Sequence, residues 1–332
     1  MKALVYEGPK IMNIRQVPLP SLKEDEVLIQ VERAGICGSE LSGYLGHNSL
    51  RKPPLIMGHE FSGSIAAVGE RVSRFQPGDR VTANPLVSCG VCEDCHTGHA
   101  NLCSSRSLIG AGRPGAFATY VAVPERNVYR MPSGMEMDEA VLAEPFACAV
   151  HAGRLAGLSP SDTLFIAGAG PIGLFMLQTA KVYGLDRIVV SDLNSERLDI
   201  VRELGGIAVQ SEQELKKESP GRGFTVTVDA VGIDVTRQQC IQVARPGGKV
   251  IFSGLHASDS SVPVNTAIRN ELVMIGSFGY NPIDFEWALK WIAEGKVNLK
   301  PWIMHASLEQ GQECFERLLS NPGKVAKILL TI

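Results

Sequence analysis

The stretch DTLFIAGAGPIGLFMLQTAKVYG, Asp162–Gly184, is an apolar run, a glycine turn and then a helical pattern. Asp186–Gly206, DRIVVSDLNSERLDIVRELGG, repeats that order, and Phe224–Gly254, FTVTVDAVGIDVTRQQCIQVARPGGKVIFSG, does so again. Strands that alternate with helices predict βαβ units and a parallel sheet, hence an α/β chain. The turn itself, GAGPIG, spans Gly168, Ala169, Gly170, Pro171, Ile172 and Gly173. A lone G-x-G-x-x-G is weak evidence, but this one closes a strand and opens a helix, the context a dinucleotide site requires. Gly168 permits the tight turn, Gly170 lets the backbone approach a pyrophosphate, and Gly173 lets the helix lie close on the strand. The helix N-terminus then offers amide donors to the phosphates.

Asp192 ends the next apolar strand, nineteen residues beyond Gly173. A carboxylate there accepts hydrogen bonds from both ribose hydroxyls and repels a 2′-phosphate, so NAD is expected over NADP. Arg197 complicates that expectation, because a nearby arginine can receive the phosphate. Gly232, Ser253, Gly254 and Ser277 fall at strand ends, where a cofactor crosses the carboxyl edge of such a sheet.

The flanks read differently. Before about residue 140 the segments KALVYEG, EVLIQVERAG, FSGSIAAVG, DRVTANP and AFATYVAVP are short, rich in Val and Ile, and bounded by Gly, Pro or Asp, as strands and turns are. After residue 280, DFEWALKWIAEGK and LEQGQECFERLLS read as helices and GKVAKILLTI as a strand. At 332 residues, two domains are expected.

Charge and composition exclude some partners. With 32 Lys and Arg against 35 Asp and Glu, the formal charge is −3, and no long basic block occurs. Nucleic acid or a membrane surface would need a concentrated basic face. No apolar run approaches the roughly 20 residues of a spanning helix. The opening MKALVYEGPK lacks the apolar centre of a signal peptide, so a cytoplasmic protein is expected. Its eight cysteines then meet a reducing compartment.

Four of those cysteines, Cys89, Cys92, Cys95 and Cys103, lie in SCGVCEDCHTGHANLC with gaps C-x2-C-x2-C-x7-C. Four thiolates enclose zinc tetrahedrally and leave no open position, so the cluster is expected to hold shape. A four-cysteine iron–sulfur site and free thiols are the alternatives. His96 and His99, inside the loop, read as surface polar residues.

The cluster stands before a glycine-turn region and after GICGSE and GHEFSG. In that order the chain resembles the zinc-dependent alcohol and polyol dehydrogenases of the medium-chain dehydrogenase/reductase superfamily, sorbitol and threonine dehydrogenase branch, along essentially its whole length. The resemblance implies a GroES-like, partly open β-barrel catalytic domain over residues 1–145, a doubly wound Rossmann domain over 146–280, and a return to the catalytic domain over 281–332, with the active site in the cleft. It implies a catalytic zinc besides the structural one, held by Cys37, His59 and Glu144. The glutamate stands where liver-type alcohol dehydrogenases use a second cysteine. Glu60 matches a residue that can approach or ligate this zinc, with water as the other fourth ligand. Ser39 matches the proton-relay hydroxyl. The relay histidine of many relatives is replaced by Ser42, which leaves His47 as a weak candidate. Lys327 falls where relatives place a basic residue on the cofactor phosphates. Arg51, Lys52 and Arg113 lie in segments that border the cleft in relatives and are candidates for holding an anionic substrate.

The expected activity is zinc- and NAD-dependent oxidation of a secondary alcohol of a polyol, sugar alcohol or cyclitol to a ketone. Polyol phosphates, threonine and short diols are the alternatives within the family. A zinc-ribbon nucleic-acid binder is opposed by the charge and by GAGPIG. A catalytically silent relative is opposed by Cys37, His59, Glu144 and Ser39. A homodimer or homotetramer is implied, with ELVMIGSFG as a candidate edge segment.

Overall fold

The structure, a computed structural model, describes residues 1–332. The chain forms two compact units: Met1–Glu144 with Asn281–Pro322 and Lys327–Ile332, and Pro145–Tyr280 with Gly323–Ala326.

The second unit is a six-stranded sheet in the order Ile207–Val209, Arg187–Ser191, Thr163–Ala167, Phe224–Asp229, Ala244–Phe252, Val273–Gly276. Every neighbouring pair is parallel. In chain order this is 3-2-1-4-5-6, the doubly wound arrangement whose strand order reverses beside the first strand. The first strand ends directly at Gly168, so the glycine turn sits at that reversal. Strands covered on both faces must be apolar throughout, which explains why LFIA and IVV do not alternate. Phe165, Val189, Phe224, Cys240 and Val250 pack as one buried cluster. The Phe165 and Phe224 ring centroids lie 5.6 Å apart.

The first unit is built around Glu26–Gly35. That strand pairs antiparallel with Glu60–Val68, Tyr120–Pro124 and Lys327–Thr331. A single strand serves three partners because Tyr120–Pro124 pairs with its first half, Glu26–Gln30, and the C-terminal strand with its last residues, Arg33–Gly35; its pairing with Glu60–Val68 is bulged twice, between Leu28 and Ile29 and between Val31 and Arg33, which bends the sheet toward closure. Val27, Ile29 and Val31 point into the core and are buried. This is the GroES-like architecture expected from the sequence. The register sets Gly35 opposite both Glu60 and Leu329, bringing the start of one strand and the C-terminal strand to the segment that leads into Cys37. A Cβ on Gly35 would collide with Glu60 Oε2, so any larger residue there would displace that carboxylate. No helix is long and apolar enough to cross a membrane.

Candidate active site and metal centres

Cys37 precedes the short helix Gly38–Tyr44, and His59 and Glu60 open the strand Glu60–Val68. Gly58, at φ +98, turns the chain so that His59 faces Cys37, and a Cβ on it would press on the Phe117 backbone. Cys37, His59 and Glu60 each bring one ligand atom within 4.8 Å of the others. His59 and Glu60 are buried and Cys37 is half-buried.

Glu40 is the residue that sequence reading missed. It lies in the helix after Cys37, wholly buried, and its two oxygens organise the donors. Oε1 bonds His59 Nδ1 at 2.8 Å and accepts from Gly58 N at 2.9 Å. Oε2 accepts from Cys37 N at 3.0 Å. Holding Nδ1 leaves Nε2 of the same ring for a metal, the arrangement by which an outer carboxylate sets tautomer and basicity of a ligating histidine. Burial works against charge on both groups. Even so, the charges of Glu40 and Cys37 hold His59 well above its usual value. Glu40 is held below the usual carboxylate range by His59 and Arg51, against the same burial.

Lys327, expected against the cofactor phosphates, is paired with Glu60 within its own unit. Its ammonium is buried and donates to Glu60 Oε1 at 2.7 Å, Glu60 Oε2 at 2.6 Å and Ile36 O at 3.2 Å. Three donors meet three acceptors, so the cation is matched by Glu60 and the Ile36 carbonyl. Burial alone would lower its pKa, and the charges of Glu60, Cys37 and Glu144 raise it instead. Glu144 lies, buried, in the first turn of the helix Ala143–Ala156, and its charge reaches Lys327. Ser39 Oγ donates to Cys37 Sγ at 3.4 Å and accepts from Arg51 Nη2 at 3.1 Å. His47 is exposed.

The four clustered cysteines also converge within 4.8 Å. Cys89 and Cys95 sulfurs lie 3.9 Å apart and Cys92 and Cys95 3.5 Å apart. Thiolates tetrahedral about zinc at roughly 2.3 Å stand about 3.8 Å from one another, so the spacing fits that ion and is too long for a disulfide. The amides of Val91 and Cys92 hold the Cys89 thiol down at about 6, toward the thiolate that metals need. His96 and His99 are exposed, as expected.

In the second unit, Gly168 has φ +103, and any Cβ on Gly173 would run into Gly168 O. Gly170 caps the helix Pro171–Val182 and has open space where its Cβ would be, a cradle shaped for a pyrophosphate. Asp192 Oδ2 accepts from Ala169 N at 2.7 Å and Oδ1 from Asn194 N at 2.8 Å, tying the carboxylate to the glycine turn. Arg197 is half-buried just beyond, its Nε without a partner. Ser253 and Ser277 follow the ends of neighbouring strands, their amides bonded to Asp229 O and Phe252 O.

Residues 23–133 match the alcohol dehydrogenase GroES-like domain, and residues 171–294 match the zinc-binding dehydrogenase domain. The sorbitol dehydrogenase of Bacillus subtilis (strain 168) is 34% identical over 344 residues, 99% of this chain and 97% of that one. An alcohol dehydrogenase (rspB) of E. coli CFT073, solved with NADH, superposes with TM-score 0.93 at 30% identity, covering 100% of this chain and 99% of the other. Galactitol-1-phosphate dehydrogenase from Escherichia coli does so with TM-score 0.91 at 29% identity, covering 100% of both. With both of its domain types matched and near-complete coverage at this identity, the chain belongs to the zinc-binding alcohol dehydrogenase family.

Proposed function

We propose that this enzyme oxidises a secondary alcohol of a polyol, sugar alcohol or cyclitol to a ketone, with NAD as hydride acceptor and zinc as its metal. The observation that carries the reading is the convergence of Cys37, His59 and Glu60, backed by Glu40, in a chain that is similar over its whole length to a sorbitol dehydrogenase. Thiolate, imidazole and carboxylate together suit zinc. Residues 1–145 and 281–332 act in this reading as the catalytic domain, and residues 146–280 as the cofactor domain.

Cys37, His59 and Glu144 would hold the catalytic ion, with Glu60 as a fourth or transient ligand. Cys89, Cys92, Cys95 and Cys103 would hold the structural one. Bound zinc supplies Lewis acidity that makes an alcohol oxygen easier to deprotonate. The residues do the rest. Glu40 keeps His59 in one tautomer, and Lys327 holds Glu60 by both of its carboxylate oxygens. Ser39 Oγ, half-buried beside Cys37, relays the proton that leaves the substrate hydroxyl, taking it up as its own O–H proton passes to water. Arg51 donates to Ser39, and a guanidinium has no acceptor site, so the proton's onward path does not run through it. Gly168, Gly170 and Gly173 seat the pyrophosphate, and Asp192 takes the ribose hydroxyls.

The enzyme is proposed to be a cytoplasmic homodimer or homotetramer. Its eight free cysteines suit a reducing compartment. The edge strand Val273–Gly276 leaves Val273 and Met274 exposed, as a sheet that continues into a second copy would. The test of the activity is NADH formation by the zinc-loaded protein against hexitols, inositols, threonine, butanediol and simple alcohols. Turnover concentrated on polyols supports the reading, and turnover confined to simple alcohols or to threonine overturns it.

A further inference from the structure

The cations Arg51, Lys52 and Arg113 look alike in sequence, and the structure separates them. Lys52 is exposed. Arg113 is committed to Glu26, a buried carboxylate. Arg51 is 4% exposed and makes no ion pair. Its stem packs over Gly43, where any Cβ would collide with Arg51 Cδ. One N–H, on Nη2, goes to Ser39 Oγ, which itself lies 3.4 Å from Cys37 Sγ; Nε is buried without a partner. Glu40 feels the guanidinium's charge, but its oxygens are already given to His59, Gly58 and Cys37.

A guanidinium taken out of water with one neutral hydrogen bond is costly. Were its task only to orient Ser39, a neutral amide would serve without that cost. Besides its pull on Glu40, what the charge adds, two hydrogen bonds from Cys37, is a planar fork of donors that matches carboxylate or phosphate oxygens. We propose that Arg51 sets the charge of the substrate: the alcohol oxidised here carries a carboxylate or phosphate on a carbon close to the carbinol, and Arg51 binds it. This rests on the polyol reading above and narrows it to anionic polyols.

The test takes the polyol backbone that the zinc-loaded enzyme oxidises and compares the neutral alcohol, its aldonic acid and its terminal phosphate by kcat/KM. One anionic form is expected to exceed the neutral alcohol by about ten- to a hundredfold, mostly through KM, and which form does so identifies the anion. Arg51→Gln should abolish that ratio, while Lys52→Gln should preserve it. Inorganic phosphate should compete with the neutral alcohol, and its inhibition constant should rise about tenfold in Arg51→Gln. Should the Gln variant fail to fold, Arg51→Lys keeps a charge without the fork and should retain part of the preference at a raised KM. Equal efficiency on all three forms overturns the inference while leaving the polyol activity standing. Equal slowing of neutral and anionic substrates in Arg51→Gln also overturns it, leaving Arg51 as a residue that only positions Ser39. Failure to oxidise any polyol, neutral or anionic, defeats the activity itself.

Discussion

Lys327 Nζ stands 2.6 and 2.7 Å from the two carboxylate oxygens of Glu60, 267 residues away in the chain, with both side chains out of reach of water. The C-terminal strand therefore supplies the counter-charge for a carboxylate within the metal-donor group. Removing one partner strands a buried charge, which costs about 3–5 kcal/mol. Lys327→Met should lower stability by that order in urea unfolding of the metal-stripped protein, and by less with zinc present, because the cation can then take Glu60. An unchanged unfolding midpoint in the stripped protein would contradict the pairing.

Glu40 is predicted to act through His59. Glu40→Gln removes the carboxylate that fixes the ring, and zinc affinity at the catalytic site should fall about 10–100-fold. Chelator competition measures it, with the cysteine cluster as the internal control that should not change.

Asp192 carries the cofactor preference. Its oxygens are tied to Ala169 and Asn194, so Asp192→Asn removes the charge while keeping part of the geometry. The NAD over NADP ratio in kcat/KM should fall in that variant by on the order of a hundredfold, the repulsion of like charges having gone. A ratio that stays constant would place the discrimination elsewhere, with Arg197 the next residue to change.

Tyr129 is pushed up to about 12, first by burial and then by the charge of Glu286. Its ring stacks on Phe285 at 4.6 Å. In the unfolded chain the phenol ionises near 10.0, so between there and about 12 the unfolded state loses a proton that the native state keeps. Stability should fall as pH rises through that window, by about 3 kcal/mol in full, and should be unaffected at neutral pH. Tyr129→Phe should flatten this alkaline decline; an equally steep decline in the variant would assign it to other groups.

How much of this could be read in the sequence depends on how local each feature is. The four-cysteine loop and GAGPIG declare themselves because their spacing within a few residues is the whole signal. The parallel βαβ sheet followed from strands alternating with helices, and its doubly wound order from the family resemblance. Glu40 was invisible because an acid early in a helix ordinarily reads as a partner for the helix end, and its bond to His59 exists only once a distant strand is in register. Lys327 was read toward the phosphates for the same reason: nothing local reveals Glu60 beside it. Arg51, Lys52 and Arg113 were indistinguishable until burial and the Glu26 pairing told them apart.

The division between shape and chemistry is tested most directly by zinc content and NADH formation with a hexitol, measured together on the wild type, Cys37→Ser and Cys92→Ser. The wild type should hold two zinc ions and turn the hexitol over. Cys37→Ser should keep one zinc and a near-native melting temperature while losing nearly all turnover. Cys92→Ser should lose the other zinc, chiefly at the expense of stability. A stable Cys92→Ser protein that has selectively lost catalysis, or a Cys37→Ser protein that still turns over, would contradict it.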